Sequence, residues 1–112
     1  MRHTINVLVN NPQRVFYALA SLPRRQIIVF LGQTALSTTD LAARFGTSAP
    51  AVSRHLALLQ HAGLVSAERQ GQRVLYRLNR DALLDALARF ASEVDGPLRR
   101  GAPPPRAPRE AI

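Results

Sequence analysis

The sequence predicts a small, mainly α-helical (α+β) domain of about five helices with one two-stranded β-hairpin. Three observations predict it. Two short helical patterns, over 37–46 and 48–63, are separated only by a glycine stop and a brief turn. The apolar period then changes from helical to alternating over residues 64–78, around Gln70-Gly71-Gln72. A further amphipathic helix follows over 80–95.

The chain begins with a short stretch, 1–10, in which Ile5, Val7 and Val9 alternate with Asn6 and Asn10. It suits an edge strand or an arm, and its terminal place favours the arm. Asn11 then caps a helix with Pro12 in its first turn, and Val15, Phe16, Leu19 and Ala20 form the apolar face. Pro23 starts a second helix, in which Ile27, Ile28, Phe30 and Leu31 are dense enough for the centre of the core.

Residues 37–46, STTDLAARFG, carry a capping box: Ser37 at the N-cap and Asp40 three residues on. Leu41, Ala42 and Phe45 are the buried side, and Gly46 ends the helix. Only Thr47 and Ser48 precede the next helix, and this spacing marks a helix-turn-helix. In TSAPAVSRHLALLQHAG, Ser48 is the N-cap, Pro50 lies in the first turn and Gly63 is the stop. Val52, Leu56 and Leu59 share one side; Pro50, Ser53, Arg54, Ala57 and His61 share the other. That second face is small or polar, has one arginine and has no acid. It fits a DNA major groove, which is about 12 Å wide and admits one helix.

The strands follow directly. Val65 and Ala67 alternate with Ser66 and Glu68; Val74, Tyr76 and Leu78 alternate with Leu75 and Arg77. Arg69 and Arg73 flank the turn and Gln72 sits on it. A basic hairpin behind a reading helix is a wing, so the fold class is a winged helix-turn-helix. Asn79 caps the last helix, whose stripe is Leu83, Leu84, Leu87, Phe90, Ala91 and Val94. A domain this small has little core left for it. Leu83, Leu84, Leu87, Phe90 and Val94 are therefore expected, with Val15, Phe16 and Leu19, at a homodimer interface. The organisation is an arm over 1–10, a DNA-binding and dimerisation domain over 11–95, and a disordered basic, proline-rich tail over 96–112.

Charge supports a nucleic-acid partner. The chain of 112 residues has a formal charge of +8, with fifteen arginines against seven acids. The tail holds four arginines and one glutamate, so residues 1–95 keep +5. With no cysteine there is no disulfide and no thiolate metal site. No apolar run approaches the roughly 20 residues of a membrane span, and a cytoplasmic protein is expected.

Val15 to Val94 resembles the ArsR/SmtB family of bacterial winged-helix repressors. The resemblance rests on ALASLPRRQII and on DLAARFGTSAPAVSRHLALLQHAGLVSAERQGQRVLYRLN. It is strongest to the SdpR-like branch, whose repressors lack a metal site. It implies a homodimer on a dyad-symmetric double-stranded operator, with Ser48, Pro50, Ser53, Arg54 and His55 in or beside the reading helix, and repression, often of the regulator's own operon. Two departures stand out. Leu22-Pro23-Arg24-Arg25 lacks a residue between the proline and the arginine pair, which predicts an altered start for that helix. Leu41-Ala42-Ala43-Arg44 replaces the family's cysteine metal motif, and the last helix has no histidine.

Other chemistry finds little support. Ser53 and His55 lie about 200° apart around a helix, and His55 and His61 about 240°, so neither pair can cooperate within one protomer. A cross-dimer metal site of His3, Asp81 and Asp85 is disfavoured, and no cofactor is expected. The residues expected at DNA are Thr47, Ser48, Pro50, Ser53, Arg54, His55, Ala57, His61, Arg69, Gln72 and Arg73. The function expected is a metal-independent repressor. The alternatives are a ligand-responsive repressor of the same family and a winged helix that binds protein instead of DNA. The sequence names no effector.

Overall fold

The fold is described for residues 11–96 of a computed structural model. The expected arm lies outside the described residues, as does the expected tail beyond Gly96. The elements are α1 (Pro12–Leu19), α2 (Leu22–Leu31), α3 (Thr38–Phe45), α4 (Ala49–His61), β1 (Val65–Gln70), β2 (Arg73–Leu78) and α5 (Arg80–Asp95).

The helix ends follow side-chain chemistry. Asn11 Oδ1 accepts from the Gln13 amide at 2.8 Å and opens α1. Helix α2 opens at Leu22, one residue before Pro23, because Ser21 Oγ accepts from the Arg24 amide. In α3 the capping box is closed: Ser37 Oγ accepts from Asp40 N and Asp40 Oδ2 accepts from Ser37 N, both at 3.1 Å. Gly46 ends α3 at φ 64°, and the Thr47 amide reaches back to the Ala42 carbonyl. Gly63 closes α4 in the same way at φ 79°, with Leu64 N donating to Leu59 O. L-residues with a Cβ rarely adopt such angles, so both stops need glycine.

The core lies between the first four helices and the base of the hairpin. Val15 and Ala18 come from α1; Ile27, Ile28 and Leu31 from α2; Leu41 and Ala42 from α3. Helix α4 adds Val52, Leu56 and Leu59, and Leu36, Ala62, Leu64 and Val65 complete it. Phe30 and Phe45 meet edge-to-face at 5.3 Å between centroids and join α2 to α3. On α1 the buried alanine is Ala18; Ala20 is the exposed cap.

The hairpin pairs antiparallel from Val65–Leu78 to Gln70–Arg73. Gln70 belongs to the strand, so the turn is only Gly71-Gln72, with φ positive at Gly71 (64°) and not at Gln72. A positive φ at the first turn residue alone fits a type II′ turn and not a type I′ turn, which needs it at both. Ala67 is exposed, since β1 leaves the core after Val65. Leu36 makes an additional bridge: it exchanges two backbone hydrogen bonds with Tyr76, at 3.2 and 2.8 Å, and sews the α2–α3 link to the wing.

The structure corrects two further expectations. Asn79 starts α5 but makes no side-chain cap bond. Its side-chain amide donates to the Gly63 carbonyl at 2.9 Å, and its Oδ1 accepts from Ser66 Oγ. The side chain is held by the α4–β1 turn instead. Val15, expected at a subunit interface, is 1% exposed in the single chain and belongs to the core. It faces inward with Ala18, three residues on.

Helix α5 contains no buried residue. Leu83 and Ala86 are half-buried against the core, and Phe90 meets the half-buried Phe16 edge-to-face at 5.3 Å. Leu84, Leu87, Phe90 and Val94 remain 53, 41, 51 and 72% exposed. Tyr17, Leu22 and Val29 are exposed as well, which the sequence pattern did not single out.

Candidate nucleic-acid interface

Helix α4 is fixed from behind and open in front. Ser48 Oγ accepts from Ala51 N at 3.3 Å and Pro50 sits in the first turn. Val52, Leu56 and Leu59 bury the back face almost completely. Thr47, Ser48, Pro50, Ser53, Arg54, Ala57 and His61 are all exposed. No acidic side chain lies on α4. Among the described residues Arg54 and Arg69 have no carboxylate within salt-bridge distance. A guanidinium without an acid keeps its charge and donors available to an anion.

His55 lies apart from that face. It is half-buried, and its Nδ1 is 3.4 Å from Arg24 Nη1. Burial, with Arg24 and Arg54 nearby, holds its pKa below the ordinary 6.5. The fold therefore favours the neutral ring. That contribution to stability is complete above pH 6.5 and is lost as pH falls through the lowered value. Urea midpoints should fall from pH 7.5 to 5.5, and fall less for His55→Gln. An equal fall in both proteins would remove His55 as the cause.

One wing arginine has a partner within the chain. Arg69 and Gln72 are exposed, and Arg69 reaches the Gly71 carbonyl of the tip. Arg73 instead donates to Asp40 Oδ2 at 2.8 Å, the same oxygen that closes the α3 capping box. The Ser37 amide and hydroxyl hold the Asp40 carboxyl below the usual range, and Arg73 and Arg44 add to this. The pair is more than a third exposed on both sides, so it tethers the wing weakly. It brings Gln72 and Arg73 to a concavity with Ser37, Thr38 and Thr39 at the start of α3. The other wing pair is Arg77 with Glu68, at 2.9 Å.

Sequence reasoning missed Arg24. It is only 9% exposed and has no acid beside it among the described residues. Its Nε donates to the Ala18 carbonyl at 2.7 Å and its Nη2 to the Tyr17 carbonyl, at the end of α1. The Tyr17 ring lies 5.5 Å from its guanidinium carbon. The negative end of the α1 dipole and the ring face offset its charge. No group of three or more potential metal ligands occurs among the described residues. No helix there is long and apolar enough to cross a membrane.

Residues 23–67, from the start of α2 into β1, match the family described as bacterial regulatory protein, arsR family. The chain is 39% identical over 87 residues to the transcriptional regulator KmtR of Mycobacterium tuberculosis, covering 74% of this chain but 65% of that protein. It is 36% identical over 73 residues to the transcriptional repressor SdpR of Bacillus subtilis, covering 65% of this chain and 81% of that one. A homodimeric winged helix-turn-helix DNA-binding domain from Mycobacterium bovis superposes with a TM-score of 0.62 at 35% identity, over 72% of this chain and 77% of that one. These relatives are regulators and not enzymes. With that sequence match extending over most of SdpR and the same helix-turn-helix and wing, the chain belongs to the arsR family of bacterial regulatory proteins.

Proposed function

We propose that the protein is a homodimeric transcriptional repressor that binds an inverted-repeat operator, without a metal, and represses its own gene. The observation that supports DNA binding is the front of α4: exposed, free of acid, and furnished with Ser53, Arg54 and His61 above a buried back face. Arg–phosphate contacts and counterion release supply most of the affinity. Arg54 and Ser53 at base edges supply sequence preference. The M. bovis relative, described as homodimeric, supports a dimer, and the exposed apolar residues of α5 support a seam there, with Phe16 beside it. The test is a gel shift with the DNA upstream of the gene, against scrambled DNA, over a salt series. Preferred binding of the upstream DNA supports the reading. Absence of binding to either DNA at low salt favours a winged helix that binds protein.

Metal indifference is a separate expectation. It rests on the absence of cysteine from the chain and of histidine from α5. Operator affinity should be the same with stoichiometric zinc and with a chelator. A tenfold difference, about 1.4 kcal/mol, would contradict it.

A further inference from the structure

We propose that Arg24 sets the tautomer of His55, leaving Nε2–H as a hydrogen-bond donor to a DNA phosphate beside α4. The inference rests on the DNA-binding reading above and deepens it. Arginine has five N–H donors and no acceptor. The His55 nitrogen that faces Arg24 Nη1, Nδ1 at 3.4 Å, must therefore accept, and the ring proton belongs on Nε2. Arg24 cannot turn aside. Its Nε and Nη2 are held by the Ala18 and Tyr17 carbonyls, and the residue is nearly buried. Among the described residues no other arginine is as deeply placed.

The other nitrogen is left over. Nε2 makes no hydrogen bond among the described residues, and no buried side-chain nitrogen or oxygen there lacks a partner. Nε2 therefore reaches the surface, one residue from the exposed Arg54. A neutral ring with a fixed outward donor suits a phosphate oxygen, and a phosphate contact positions the helix without reading a base. Arg24 is a positioning residue. It ties the end of α1 and the start of α2 to the flank of α4, and acts on DNA through His55.

The ring nitrogens of the full-length protein report this directly. Long-range proton–nitrogen spectra at pH 8 should show His55 protonated at Nε2 alone. His61, exposed on the same helix, is the reference for an unconstrained ring. Arg24→Met, or Arg24→Lys where the first does not fold, should move the His55 pattern towards that of His61. His55→Gln, with its amide donor at the ε position, should keep DNA affinity within about threefold. His55→Asn, with its donor at the δ position, should lose about tenfold on operator and random DNA alike. A proton on Nδ1, or a His55 pattern equal to that of His61 in the wild type, overturns the proposal while leaving the DNA-binding reading intact. Equal binding by the two His55 variants does the same. A wild type that binds no DNA overturns both.

Discussion

Leu87→Glu/Phe90→Glu should convert the protein to monomers in sedimentation and lower operator affinity by at least about a hundredfold, or ~2.7 kcal/mol. Both side chains are large, apolar and about half exposed in the single chain. Burying one such side chain contributes about 1.5–3 kcal/mol, so the exposed stripe of α5 is a strong drive to associate. Two acids placed in that seam would sit uncompensated and desolvated, at a cost of several kcal/mol. Across a two-fold axis each substitution also acts twice. The protomer itself should survive, because Leu83 and Ala86 hold α5 to the core and the two substitutions cost it only the Phe16–Phe90 edge contact. On the proposed inverted repeat a single protomer would read one half-site, hence the weaker binding expected. A soluble double variant that stays dimeric would move the seam elsewhere, and the exposed Tyr17, Leu22 and Val29 would be the next candidates.

Arg54→Ala should weaken operator binding more than random-DNA binding, and relax one base pair in each half-site. Arg54 is on the exposed face near the start of α4 and has no carboxylate partner among the described residues. Two hydrogen bonds to a guanine's O6 and N7 give about 1–3 kcal/mol of discrimination. Arg73→Ala should weaken both DNAs by similar factors. Its pairing with Asp40 adds a consequence: the substitution frees the wing as well as removing a charge. Asp40→Asn separates the two effects, since it breaks the ion pair and keeps an oxygen for the Ser37 amide. If Arg73 only tethers the wing, both variants should weaken DNA binding alike. If it touches phosphate, Arg73→Ala alone should lower the salt slope, by about one unit for each phosphate that Arg73 neutralises. Equal weakening on operator and random DNA for Arg54→Ala would make Arg54 a phosphate contact.

Helix boundaries were legible in the sequence because their causes are local. Ser37, Asp40 and Ser48 are within a few residues of the backbone groups they satisfy, and Pro50 and Gly63 act through their own backbone angles. The back face of α4 was legible for the same reason, since period alone places Val52, Leu56 and Leu59 together. At α2 the proline is the louder signal, and the cap, Ser21, stands two residues before it.

What sequence did not reveal depends on distant partners. Arg73 meets Asp40 across 33 positions, and Arg24 meets His55 across 31. Neither pair leaves a periodic trace. An arginine reads as a surface residue until the carbonyls that hold it are in place. Asn79 is a good cap by type, yet the Gly63 carbonyl and Ser66 hydroxyl hold its side chain. Val15 shares an apolar stripe with Phe16 and Leu19, and only packing separates its inward side from their half-buried one. Leu36 pairs with Tyr76 as a single bridge, too short for any alternation to announce.

The surface itself can be mapped by backbone amide spectra of the labelled protein, titrated with an inverted-repeat duplex that it shifts in a gel. The largest changes should fall on the exposed positions of α4, at Ser53, Arg54, Ala57 and His61, and on Arg69 and Gln72 of the wing. Changes confined to the apolar face of α5, or to Tyr17, Leu22 and Val29, with α4 silent, would contradict a DNA-reading role for α4.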